Sequence, residues 1–237
     1  MRFGVTGGAG FVGSHLVKLL VNEGHQVTVI DNLHTGKMEN LDLIKNDIKF
    51  CKIDVQDFDS MERELREIDG VFHQAALTVV QDSFTIPDEY HMVNVKGTEN
   101  IFKIAQKNNF KVVYASSSSV YGHQENVPIL EHFRKKPINP YGQTKLDDEI
   151  LAEKYSKLGV SIIGLRYFNI FGKGQTLEYA GVITKFLDRI NQKKSPIIFG
   201  DGSQLRDFIS VEDIVRANLA AMQSKISNLL VNVGTGN

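Results

Sequence analysis

Tyr141 and Lys145 stand four residues apart in the run Tyr141-Gly142-Gln143-Thr144-Lys145. On a helix this spacing stacks a phenol and an ammonium on one face. A phenol, with a reference pKa of about 10, is a poor base at neutral pH. Lowering that value by roughly three units takes about 4 kcal/mol of preferential stabilisation of the phenolate. A cation one turn away supplies part of it, so the pair suits removal of a proton from a hydroxyl group. Asn139 and Pro140 read as an N-cap and a first helical position, which puts Tyr141 in the exposed first turn. Upstream, Ser116-Ser117-Ser118-Ser119 precedes Val120-Tyr121-Gly122. Just past a strand, a serine hydroxyl can hold a substrate oxygen and steady the charge that develops on it.

A second chemical feature lies at the front. Thr6-Gly7-Gly8-Ala9-Gly10-Phe11-Val12-Gly13 follows an apolar run and opens an amphipathic one. Glycines at this spacing let the backbone turn sharply and approach a pyrophosphate, which a helix N-terminus then holds. Asp31 closes the next apolar run at a suitable distance, where a carboxylate can take both ribose hydroxyls of a dinucleotide. It repels a 2′-phosphate, and no arginine follows within Asn32–Met38, although Lys37 does. The expected cofactor is therefore NAD rather than NADP. Asp54-Val55 closes a third run, and Asp54 reads equally as a contact to adenine or as a turn-forming acid. His73-Gln74-Ala75-Ala76 closes a fourth, where small alanines let the backbone run beside the cofactor. His73 is read as structural.

These residues need strands that end on one edge of a sheet. Arg2–Thr6, Gln26–Ile30, Ile48–Ile53, Gly70–His73, Val112–Ala115 and Ser161–Leu165 read as strands. Phe11–Glu23, Ser60–Glu67, Tyr90–Lys107 and Tyr141–Lys157 read as the helices between them. The alternation predicts an α/β fold with a doubly wound parallel sheet. After Arg166 come an expected helix over Gly181–Gln192, a strand over Pro196–Phe199, a helix over Val211–Ser224 and a last strand over Leu229–Val233. This stretch is expected to form a small C-terminal substrate lobe interleaved with the sheet, giving residues 1–165 to the cofactor domain and 166–237 to the lobe. At 42% hydrophobic residues the 237-residue chain can bury a full core, and its net charge of −1 gives no pull toward nucleic acid or anionic membrane. No apolar run reaches membrane-spanning length. A strand beginning at Arg2 leaves no room for a signal peptide, and the single Cys51 cannot form an internal disulfide, so a cytoplasmic enzyme is expected. Cys51 is expected to pack as a small apolar group. The runs Arg134-Lys135-Lys136 and Lys193-Lys194 are read as solvated surface, and no metal site is expected.

Taken together, these motifs resemble the extended short-chain dehydrogenase/reductase superfamily and, within it, the nucleotide-sugar epimerases. The likeness adds Asp31-Asn32-Leu33-His34-Thr35-Gly36, Phe72-His73-Gln74-Ala75-Ala76, Asn94, Arg166-Tyr167-Phe168-Asn169 and Gly200-Asp201-Gly202 with Arg206-Asp207-Phe208. It implies a Rossmann-type sheet, NAD, a nucleotide-sugar substrate and a homodimer built on helices Tyr90–Lys107 and Tyr141–Lys157. It also implies roles. Ser117, Tyr141 and Lys145 would be catalytic. Gly7, Gly10, Phe11, Val12, Gly13, Asp31, Asn32, Leu33, Thr35, Gly36, Asp54, Val55, Gln74, Ala75, Ala76 and Phe168 would line the cofactor together with Tyr141 and Lys145. Asn94 would brace the backbone there. Thr78, Ser117, Ser118, Ser119, Tyr141, Asn169, Phe199 and Arg206 would meet the substrate, with Arg206 clamping its diphosphate.

Within the superfamily, the dehydratases carry Asp-Glu directly after the catalytic hydroxyl residue, and the decarboxylating branch tends to carry Glu at the second position. Here Ser118 and Ser119 stand there, and neither hydroxyl is a ready acid or base near pH 7. The expected reaction is therefore 4-epimerisation of a UDP-hexose, with UDP-glucose and UDP-galactose the leading pair. The alternatives are a dehydratase or decarboxylase with atypical residues, or a non-catalytic NAD-binding protein. Relatives implied by the resemblance continue past Asn237, so the lobe is expected to be truncated and the sugar's C2 substituent is left open.

Overall fold

The computed structural model describes residues 1–175, 181–198 and 200–236. The first half alternates β1 (Arg2–Thr6), α1 (Phe11–Asn22), β2 (Gln26–Ile30), β3 (Ile48–Cys51), α2 (Phe58–Leu65) and β4 (Gly70–His73). Next come two short helices, α3 (Val80–Thr85) and α4 (Pro87–Tyr90), then a wide π-type turn over His91–Lys96 that runs into α5 (Gly97–Asn108). The sequence predicts one helix over Tyr90–Lys107, and the structure divides it at this wide turn. β5 (Lys111–Ser117), α6 (Pro140–Lys157) and β6 (Ile162–Tyr167) complete the series. The remainder contains β7 (Asn169–Phe171), α7 (Val182–Asn191), β8 (Phe208–Ser210), α8 (Val211–Gln223) and β9 (Asn228–Val233).

Seven strands form one parallel sheet in the order β3-β2-β1-β4-β5-β6-β9. β7 and β8 make a separate parallel pair. The strand order reverses between β1 and β4, and crevices at such reversals are where open α/β sheets keep ligands. The central strands bury side chains on both faces, the mark of a sheet covered on two sides. One core packs Leu16, Val17 and Leu20 of α1 and Ile214, Val215 and Met222 of α8 against Phe3, Val5 and Phe72. The other packs Met61 and Leu65 of α2, Ile101, Phe102 and Ala105 of α5, and Ala152 and Tyr155 of α6 against Val71, Val112 and Tyr114.

The strand expected over Pro196–Phe199 is absent over residues 196–198, which have no regular structure, and Phe199 itself lies outside the described residues. Ile197 and Ile198 are exposed, and no strand among the described residues pairs with them. The division expected between residues 165 and 166 falls inside β6, and β9 is a strand of the main sheet. No helix among the described residues is long and apolar enough to cross a membrane.

Candidate active site

The glycine loop joins β1 to α1. Gly7 has φ +65°, and a Cβ there would lie 2.7 Å from the Ala75 nitrogen, so only glycine lets the loop meet the end of β4. Gly13 is tighter still: its Cβ would stand 2.0 Å from the Gly7 carbonyl oxygen. Gly10 caps α1 with no side-chain partner, and the first turn, which includes Phe11, Val12 and Gly13, carries no acid. The first N–H groups of α1 are therefore available to an anion, with the positive end of the helix dipole behind them. This cradle fits a pyrophosphate.

Asp31, buried at the end of β2, accepts from the Leu33 N–H at 2.8 Å and the Ala9 N–H at 3.0 Å. Burial raises its pKa, and the two backbone donors oppose that rise. Each oxygen keeps a further lone pair for a ribose hydroxyl. Gly36 folds over the carboxylate, where a Cβ would lie 2.7 Å from Oδ1. Leu33 takes φ +62°, unusual for a branched residue, to make this turn, and Thr35 is exposed beside it. Asn32 donates to Asp54 Oδ2 at 2.8 Å, and Asp54 Oδ1 accepts from the Gln56 N–H, so Asp54 performs the turn-forming role. Val55 is buried, with Gly97 of α5 against its side chain.

Beyond β4 the side chain of Gln74 is tied to α8 and β6. It donates to Asn218 Oδ1 of α8 at 3.1 Å and accepts from the Tyr167 hydroxyl. What faces the glycine loop here is backbone, including that of Ala75, with Ala76 next along the chain. The segment after it is clamped twice. Asn94, in the wide turn, bonds both the N–H and the C=O of Leu77 and donates to Thr144 Oγ1 of α6. The Tyr90 hydroxyl donates to the Val79 carbonyl at 2.6 Å. Thr78 stands exposed between the two clamps.

α6 begins as the sequence predicts: Asn139 Oδ1 accepts from the Gly142 N–H at 2.7 Å, with Pro140 at the first position. Tyr141 is half-buried on the first turn. Gly142 lies against the Ser119 carbonyl, where a Cβ would approach to 2.8 Å, so the tyrosine turn seats directly on the serine run. Ser117 ends β5 and accepts the Ser119 N–H at 3.1 Å, which leaves its own proton free to donate. Ser118 and Ser119 form a half-buried single turn after it. Ser116 faces the other way and donates to Glu149.

Lys145 is only 3% exposed, and its Nζ bonds Asp148 Oδ2 at 3.2 Å. His73, also 3% exposed, bridges Thr6 Oγ1 (2.6 Å) and Thr98 Oγ1 (2.9 Å). Burial, helped by the Lys145 charge, pushes its pKa down to about 3, so it is a neutral brace. Behind this layer, Arg166 pairs with Glu149 through two hydrogen bonds of 2.7 and 2.9 Å and donates to the Tyr121 hydroxyl. Lys135 joins Glu149 at 3.1 Å. Lys135 is exposed, as expected of that run, and its ammonium reaches the buried Glu149, which therefore faces two cations at once. Cys51 is half-buried, and burial raises its thiol pKa.

In the remainder, Phe168 donates its N–H to Val233 and lies against Gly234. Asn169 and Arg206 line one cavity of about 160 Å³ with Phe171, Val182 and Phe208. The Asn169 amide is bonded to the Asp207 carbonyl, and the exposed Arg206 guanidinium to the Leu205 carbonyl. Asp207 instead holds the Thr235 and Gly236 N–H groups. Sequence reasoning missed Asp148, Thr144 and the Thr6–His73–Thr98 brace. A buried acid three residues after Lys145 is a signal the helical repeat offers, whereas the His73 partners come from distant elements.

The sequence matches the model of the NAD dependent epimerase/dehydratase family over residues 4–234. It is 40% identical over 237 residues to a putative UDP-glucose 4-epimerase of Methanocaldococcus jannaschii, covering 98% of this chain and 76% of that one. It is 36% identical to the UDP-N-acetyl-alpha-D-glucosaminuronate decarboxylase of Bacillus cytotoxicus, covering 98% of this chain and 74% of that one. The fold superposes on the UDP-N-acetylglucosamine 4-epimerase of Methanobrevibacter ruminantium M1, solved with UDP-N-acetylmuramic acid, at TM-score 0.95 and 39% identity, covering 100% of this chain and 77% of that one. With the glycine cradle, Asp31 and the Tyr141–Lys145 turn on one edge of the sheet, the chain belongs to the NAD-dependent epimerase/dehydratase family.

Proposed function

We propose that the chain interconverts C4 epimers of a UDP-hexose, UDP-glucose and UDP-galactose first among them, in the cytoplasm and as a homodimer. The observation that carries the reading is the seat of Tyr141 on the serine run, with Lys145 one turn below. The chemistry NAD supplies when bound is reversible removal of a hydride from C4. Tyr141 takes the 4-hydroxyl proton and later returns it. Ser117 donates its free proton to the same substrate oxygen. The Lys145 ammonium favours the phenolate form. Ser118 and Ser119 offer hydroxyls but no ready acid or base, so nothing at these positions drives elimination of water. The 166–237 lobe, through the cavity that Asn169 and Arg206 line, takes the diphosphate end of the substrate. The similarity to a decarboxylase makes the corresponding UDP-uronic acid the competing substrate to run in parallel.

The test is incubation with UDP-galactose and separation of the sugar nucleotides. UDP-glucose formed without added reductant is expected, and Tyr141→Phe should cut turnover by at least about a thousandfold while NAD stays bound. A stable keto-deoxy product, carbon dioxide released from the uronic acid, or bound NAD with no turnover would each refute the epimerase reading.

A further inference from the structure

Asp148 is the one acid on α6 whose side chain is wholly buried beside Lys145. Its Oδ2 takes the ammonium, while no well-formed hydrogen bond reaches Oδ1, although the Thr98 hydroxyl faces the same carboxyl group. An unpaired oxygen at 0% exposure is costly, and burying a Lys–Asp pair costs further desolvation unless additional hydrogen bonds satisfy both ions. We propose that Asp148 is a positioning residue that anchors Lys145 and sets how much of its positive field reaches Tyr141, a role that rests on Tyr141 being the base.

The geometry supports this in two ways. First, Lys145 has three protons, and Asp148 fixes one of them, which leaves the other two to donate elsewhere. Second, a carboxylate 3.2 Å from the ammonium cancels much of its field at longer range. Apart from Asp147, the surrounding groups offer no substitute charge. Asp147 shares the helix, Thr98 comes from α5, His73 from β4 is neutral, and the Tyr114 hydroxyl from β5 is, among the described residues, the other buried side-chain polar atom without a hydrogen-bond partner. The Tyr90 hydroxyl lies within electrostatic reach of Tyr141 from outside α6. Burial raises the Asp148 pKa against the pull of Lys145, so the carboxyl is held close to a change of charge.

The experiment reads the phenolate ultraviolet band in NAD-saturated protein at fixed neutral pH, taking as the signal the part that Tyr141→Phe removes. Asp148→Asn keeps the shape and removes the charge. It should raise the Tyr141 phenolate fraction by up to about tenfold, the equivalent of one pH unit, and move the acid limb of turnover to lower pH by a similar amount. Asp148→Glu should restore the wild-type behaviour in part. If circular dichroism shows that the asparagine variant does not fold, Asp148→Ser carries the same expectation. A phenolate fraction and acid limb unchanged in a folded variant overturn the role of Asp148 and leave the base in place. A wild type with no Tyr141-dependent band removes the base and this inference together.

Discussion

Acidification from pH 7 to pH 5 should cost this fold about 2 kcal/mol through one side chain, His73. In the folded chain burial holds its pKa near 3, whereas in the unfolded chain an imidazole titrates near about 6.5. Between those values the unfolded chain binds more protons, so stability rises with pH across the window. The contribution is fully present above about pH 6.5 and is lost as pH falls toward about 3, reaching at most about 5 kcal/mol. By pH 5 the unfolded histidine is almost entirely protonated and the folded one almost entirely neutral, which gives the 2 kcal/mol relative to pH 7. The cause is geometric: both ring nitrogens are committed to threonine hydroxyls at 2.6 and 2.9 Å, and neither hydroxyl is an anion that would welcome a second proton. Urea unfolding at the two pH values, on wild type and on His73→Gln, isolates the effect. Asp148, whose pKa burial raises, contributes with the opposite sign and cancels in the comparison. The wild type should lose about 2 kcal/mol more than the variant. Equal losses, or an imidazole resonance of His73 that titrates near 6.5 in the folded protein, would refute the argument.

Other outcomes follow from the same contacts. Glu149→Gln leaves the Arg166 guanidinium buried without its counter-ion, and unfolding free energy should fall by about 3 to 5 kcal/mol. Gly7→Ala puts a Cβ 2.7 Å from the Ala75 nitrogen at a positive φ; NAD titration should show binding weakened by at least about tenfold, with a stability loss of about 1 to 3 kcal/mol. Asp31→Asn should reduce the preference for NAD over NADP by at least about tenfold, measured as the ratio of the two dissociation constants.

The sheet was legible because its strands are short, largely apolar runs, the first two stopping before Gly7 and Asp31. β1, β2 and β4 lie at the boundaries the sequence predicts. Helix ends were legible where a cap announced them, as at Asn139-Pro140. The wide turn at His91–Lys96 was not, because a π-type turn keeps helical composition and shifts only the phase. The strand at Pro196 failed for the opposite reason: an apolar pair after proline reads as β, but a strand forms only where a neighbour accepts its hydrogen bonds. At the site, the positions of Tyr141, Ser117 and the glycine loop follow from motifs. The partners that hold them, Asn94 on Leu77 and His73 between Thr6 and Thr98, come from elements far apart in sequence, and single-chain periodicity carries no trace of such pairings.

A helix with one wide turn gains a residue without gaining a face, and each residue rotates the direction of the side chains by about 100°. Before the turn, Tyr90 is keyed to Val79; within it, Asn94 is keyed to Leu77; after it, Ile101, Phe102 and Ala105 are keyed to the sheet. A regular helix of the same length could satisfy either set but would swing the other toward solvent. The extra residue at His91–Lys96 therefore works as a phase adjuster between two surfaces, and a one-residue deletion there should disengage Asn94 from Leu77 while α5 keeps its place.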